Sequence, residues 1–128
     1  FLFFGAPSYF VAKQHSLSGN PTYLYQFDKK PNIPNDYLGA THALELGYLF
    51  NKGGLFGIEG SYDESDITLA QQMRADWIHF ARKGFLPNAK TFTHEESVAR
   101  IYDKVISDQI IEHHSFYKSY SSFWENLQ

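Results

Sequence analysis

Only two stretches of this chain read as β-strand, and residues 28–97 separate them. The first, Thr22-Tyr23-Leu24-Tyr25-Gln26-Phe27, sets Tyr23, Tyr25 and Phe27 on one face and Thr22, Leu24 and Gln26 on the other. The second, residues 98–106, mixes β-branched with polar side chains and carries a break at Asp103-Lys104. Helical stretches surround both, and alternation of that kind points to an α/β arrangement. A central parallel sheet needs neighbours on both edges, which two or three strands do not supply. The expectation is a single segment, residues 1–128, of a larger α/β domain. Taken alone, such a segment is expected to self-associate over its open sheet edge.

The helical stretches are marked by spacing and by their ends. Phe3, Ala6, Phe10 and Leu17 recur at helical intervals over residues 1–17, with Pro7 suited to a first turn and Ser18-Gly19-Asn20-Pro21 closing the run. Residues 28–36 form a loop with Pro31 and Pro34, and residues 43–50 a short helix or tight turn. The clearest helix is expected over 67–83. Leu69, Met73, Trp77, Phe80 and Ala81 form its apolar face. Asp63, Glu64 and Asp66 lie at its positive end, and Arg82 and Lys83 at its negative end before Gly84. A last helix, 113–127, aligns Phe116, Tyr120, Phe123, Trp124 and Leu127.

Charge and composition remove several classes of function. Eleven basic against 14 acidic residues leave a net charge of −3, which gives no general attraction to nucleic acid. No Cys is present, so there is no disulfide framework, no Cys-ligated zinc and no thiol nucleophile; a reducing, cytoplasmic setting is expected. No apolar run approaches the ~18 residues of a membrane span, so no membrane partner is expected. Phe1-Leu2-Phe3-Phe4 lacks the basic lead-in of a signal peptide and reads as a chain opening inside a larger domain.

No G-x-S-x-G, P-loop, G-x-G-x-x-G or H-E-x-x-H occurs. His42 is the one candidate catalytic residue. It follows a Gly39-Ala40-Thr41 loop after a strand, where open α/β sheets place their chemistry, although a histidine hydrogen-bonded in a surface turn has the same pattern. His42 and Glu45 could share a helical face, but two ligands make no metal site, and no metal or cofactor is expected. Glu112-His113-His114 reads as a solvated capping segment, and Lys29-Lys30 as a loop charge pair. The Tyr23/Tyr25/Phe27 and Leu69/Met73/Trp77 stripes read as core, while Gly53, Gly54 and Gly57 permit unusual backbone angles at a mobile rim. His15, His79 and His94 show no partner pattern.

Three stretches together resemble the type-B carboxylesterases, most closely the bacterial para-nitrobenzyl esterases. Residues 21–28 look like that family's late sheet strand. Gly39-Ala40-Thr41-His42-Ala43-Leu44-Glu45-Leu46-Gly47-Tyr48-Leu49-Phe50 matches its histidine segment and is the specific signal. Residues 73–88, with Trp77-Ile78-His79-Phe80-Ala81-Arg82-Lys83-Gly84, resemble its long C-terminal helix. Gly47 and Asn51 stand where relatives often have Pro and Gly, and Phe92-Thr93 replaces a common Trp-Pro. The resemblance implies the C-terminal portion of an α/β-hydrolase fold, the last sheet strands with flanking helices. It further implies a serine carboxylesterase acting on small ester substrates without a cofactor. His42 would be the triad histidine; the Ser, the triad acid and the oxyanion loop would come from chain preceding Phe1. Glu45 would tie down the His-bearing turn, and the segment by itself would be inactive. The alternative is a non-catalytic binding module on the esterase scaffold.

Overall fold

The computed structural model describes residues 4–32, 39–50 and 62–111. In chain order these form helix α1 (Gly5–Leu17), strand β1 (Leu24–Phe27), helix α2 (Glu45–Phe50), helix α3 (Glu64–Lys83) and strands β2 (Val98–Tyr102) and β3 (Ser107–Ile110). The strands make one sheet in the order β1-β2-β3. The expected helix over 113–127, the Glu112-His113-His114 segment and the glycines of 51–60 lie outside the described residues.

Residues 98–106, expected as one broken strand, are instead β2 and a turn leading into β3. The four-residue link 103–106 forces the two strands antiparallel, and Ile111 N–H donates to the Ser97 carbonyl at 2.8 Å to close the ladder. Every residue of β2 is buried, as befits the middle strand of the sheet.

The described residues group into two compact units. The first comprises 4–25, 87–100 and 108–111. In it, α1 buries Ala6 and Ala12, and Tyr9 packs edge-on against Phe92 at 5.5 Å with its hydroxyl 2.9 Å from Ser97 Oγ. Leu17, expected in the stripe of α1, is exposed. Arg100 is buried, and it is satisfied there: Nη1 donates to the Asn88 carbonyl at 2.9 Å and reaches Asp108 Oδ1 at 3.3 Å.

The second unit comprises 26–32, 39–50, 62–86 and 101–107. Its core is Tyr48, Leu69, Ala70, Met73 and Tyr102, with Phe27, Leu49, Tyr62 and Ile106 against it. Full burial of side chains such as Met73 contributes about 1.5–3 kcal/mol each. Helix α3 opens three residues earlier than the apolar spacing suggests, because Asp63 caps it. Asp63 Oδ1 accepts from the N–H groups of Ser65 and Asp66 at 2.8 and 3.0 Å, and Asp66 Oδ2 accepts from Asp63 N–H at 2.9 Å. Gly84, at φ 75°, ends it in the left-handed conformation.

The apolar face of α3 differs from the expected stripe. Leu69 and Met73 are buried, but Trp77 and Phe80 are 45% and 44% exposed, and Tyr25 of β1 is also exposed. In their place α3 buries two carboxylates, Asp66 and Asp76, both hydrogen-bonded. Asp76 accepts from Tyr102 Oη at 2.8 Å and from Gln72 Nε2 at 2.9 Å.

Candidate active site around His42

His42 lies in the turn that leads into α2. Thr41 N–H donates to the Gly39 carbonyl at 2.9 Å, and Leu44 N–H to the Thr41 carbonyl at 3.3 Å. His42 and Ala43 are thus the two central residues of a four-residue turn. Ala43 has φ 67°, the sign a type II turn requires at its third position. A non-glycine residue there costs about 1–3 kcal/mol, and such outliers persist only where the surroundings hold them. Here the surroundings are visible. Ala43 and Leu44 are buried, which pins the turn from below and leaves His42 on the exposed side.

From Glu45 onward the turn becomes α2. With six residues the helix is too short to hold itself. Tyr48 supplies the anchorage: its ring packs 4.9 Å from Phe27 and 4.8 Å from Tyr62, and its hydroxyl donates to Asp66 Oδ1 at 2.7 Å. Arg74, two turns further along α3, donates from Nη1 to the Tyr48 carbonyl at 2.7 Å. Phe50, by contrast, is 69% exposed.

Asp66 is the hub of this arrangement. Beyond Tyr48 and its own helix cap, it accepts from Asn32 Nδ2 at 3.0 Å and pairs with Lys29 Nζ at 2.8 Å. Lys29 also donates to the Lys30 carbonyl at 3.0 Å and is as buried as Asp66. Lys29 is therefore no loop charge; it is half of an interior ion pair, and only its neighbour Lys30 is exposed. The Tyr48 phenol, desolvated and beside the Asp66 carboxylate, is held far above its ordinary pKa and stays a donor.

His15 Nδ1 lies 2.9 Å from Thr22 Oγ1, His79 meets the Phe85 ring edge-on at 5.0 Å, and His94 Nε2 is 3.6 Å from Glu95 on the surface. Glu45 is half-buried at the start of α2. Among the described residues no three His, Cys, Asp or Glu side chains group as a metal site would need, and no helix is long and apolar enough to cross a membrane. The arrangement around His42 offers one thing chemically: an exposed histidine on a turn whose next two residues are buried.

Sequence reasoning singles out His42 as a candidate and misses what seats its turn. The carboxylate pattern before α3 signalled a cap; that the same Asp66 also reaches Tyr48 and Lys29 depends on contacts 18 and 37 positions apart in sequence.

The family model described as the carboxylesterase family matches residues 2–116. The liver carboxylesterase of Sus scrofa is 34% identical over 92 residues, covering 71% of this chain and 16% of that protein. A medium-chain fatty acyl-CoA hydrolase precursor of Anas platyrhynchos is 32% identical over 88 residues, covering 66% and 15%. Among solved structures, a PNB esterase superposes with a TM-score of 0.65 at 27% identity, covering 78% of this chain and 21% of that one. The carboxylesterase of Geobacillus stearothermophilus superposes at 0.65 with 24% identity, covering 85% and 23%. The fold is thus that of part of an α/β-hydrolase, and the chain spans about a sixth of the length of the curated relatives it matches.

Proposed function

Because this chain belongs to the carboxylesterase family, we propose that it is the part of a serine carboxylesterase that carries the proton-transferring histidine, His42. The observation that supports this most is the seating of His42, which is exposed on a turn whose next two residues are buried and whose Ala43 is held at φ 67°.

The chemistry follows from what an ester needs. A serine hydroxyl is a weak nucleophile until a base removes its proton, and imidazole is the side chain that exchanges protons near neutral pH. In this reading His42 takes the proton of a serine supplied by the rest of the polypeptide as that oxygen attacks the ester carbonyl. The imidazolium then gives the proton to the departing alkoxide, leaving an acyl-serine. In the second half His42 takes a proton from water as it attacks the acyl group, and returns it to the serine oxygen. An acid from outside this chain orients the ring. Glu45 stands at the head of α2 and serves the turn. Substrates are small carboxylic esters, and no cofactor takes part.

Labelling with a fluorophosphonate tests this reading. The intact enzyme is expected to react at a serine outside residues 1–128, and His42→Ala to slow that reaction at least about 100-fold. Unchanged labelling of His42→Ala would sink the reading. Residues 1–128 by themselves are expected to hydrolyse esters no faster than their His42→Ala counterpart.

A further inference from the structure

We infer that Tyr48, held by Asp66 and Arg74, is the positioning residue that sets the depth and rotation of the His42 turn; the inference rests on the reading of His42 as the proton carrier. Helix α2 is only six residues long, so its own hydrogen bonds cannot fix its orientation. Two different atoms of Tyr48 are gripped by one neighbour, α3: the hydroxyl by Asp66 at 2.7 Å and the carbonyl by Arg74 at 2.7 Å. Two directional bonds to a 20-residue helix remove both sliding and rolling of α2, which the non-directional packing of Phe27 and Tyr62 on the Tyr48 ring does not.

Asp66 is in turn immobilised. Both of its carboxylate oxygens are engaged: Oδ1 by Lys29 and Tyr48, Oδ2 by Asn32 and the Asp63 N–H. The aromatic side chain six residues beyond His42 therefore connects the start of α3 to the turn that carries the imidazole. Proton transfer demands placement within a fraction of an ångström, so a loosened α2 lowers turnover without touching substrate affinity.

The test uses the full-length enzyme and three variants that leave His42 intact: Tyr48→Phe, which keeps the ring; Asp66→Asn, which keeps the shape; and Arg74→Gln, which frees the Tyr48 carbonyl. Turnover is expressed per site titrated by a fluorophosphonate, so a shortage of folded protein does not count. Each variant is expected to lose at least about tenfold in kcat per titrated site, with KM within about twofold of wild type. Wild-type kcat per titrated site in Tyr48→Phe or Arg74→Gln overturns the inference, since a purely structural role changes only the number of sites. His42→Ala measured alongside separates the two claims. Turnover surviving there sinks the reading of His42, whereas its loss there with full turnover in Tyr48→Phe sinks the positioning role alone.

Discussion

Lys29 Nζ and Asp66 Oδ1 stand 2.8 Å apart with both side chains 1% exposed, an interior ion pair at the foot of α3. Breaking such a pair from one side is costly because it leaves a charge with neither water nor counter-ion, about 3–5 kcal/mol. Asp66 keeps three other donors, so Lys29→Met is expected at the lower end, about 3 kcal/mol, in the urea unfolding of the full-length protein. Adding Asp66→Asn removes the stranded charge and recovers at least about 1 kcal/mol. A Lys29→Met protein within about 0.5 kcal/mol of wild type, the range of ordinary surface changes, contradicts the pairing.

Ala43 carries the strain of the His42 turn at φ 67°. Glycine adopts that conformation without penalty, but frees the unfolded chain and removes a buried methyl group. Ala43→Gly is therefore expected to leave stability within about 1 kcal/mol of wild type. Ala43→Val places a β-branched side chain where its Cγ atoms crowd the backbone, and costs at least about 1–2 kcal/mol beyond the glycine variant. Equal unfolding midpoints for the two variants contradict the left-handed assignment.

The Tyr48 phenol is held far above its ordinary pKa of 10.0, first by burial and then by its bond to Asp66. A raised folded-state value contributes stability that is complete below the unfolded value and lost as pH rises toward the folded one. The urea midpoint is therefore expected to fall as pH rises above about 10, with part of that fall absent in Tyr48→Phe. Identical alkaline slopes in the two proteins contradict this placement of Tyr48.

Asp63 moves the other way. The Ser65 side-chain hydrogen bond, then the Asp66 backbone N–H, hold its carboxyl well below its ordinary 3.8. Its contribution is complete above about pH 4 and lost as acid protonates it. Asp63→Ala is expected to lower stability at neutral pH and to flatten the acid limb of the stability profile. An unaltered acid limb means the cap is not formed.

How far the sequence carries this account depends on the range of the interactions involved. The cap of α3, its glycine stop, β1 and the His42 turn were legible because each is written within a few neighbouring residues: Asp63 with Ser65 and Asp66, Arg82-Lys83 with Gly84, alternation over 22–27. Trp77 and Phe80 have the right spacing for a core face and are exposed all the same, because spacing says which residues share a side, not what covers that side. Lys29 was illegible for the opposite reason. Nothing beside it in sequence marks a buried cation; its partner lies on α3. The second strand of the 98–110 hairpin, Ser107–Ile110, has too few β-formers to announce itself and exists because β2 offers it a ladder.

The most direct measurement of the central claim is kcat of the full-length protein and its His42→Ala variant on a short-chain chromogenic ester, at equal concentrations of folded protein. On the proposed role of His42 in moving the serine proton, its loss is expected to lower kcat by at least about 1,000-fold, leaving only what binding and oxyanion stabilisation supply. A His42→Ala enzyme that turns over within about tenfold of wild type contradicts the account, whatever the fold.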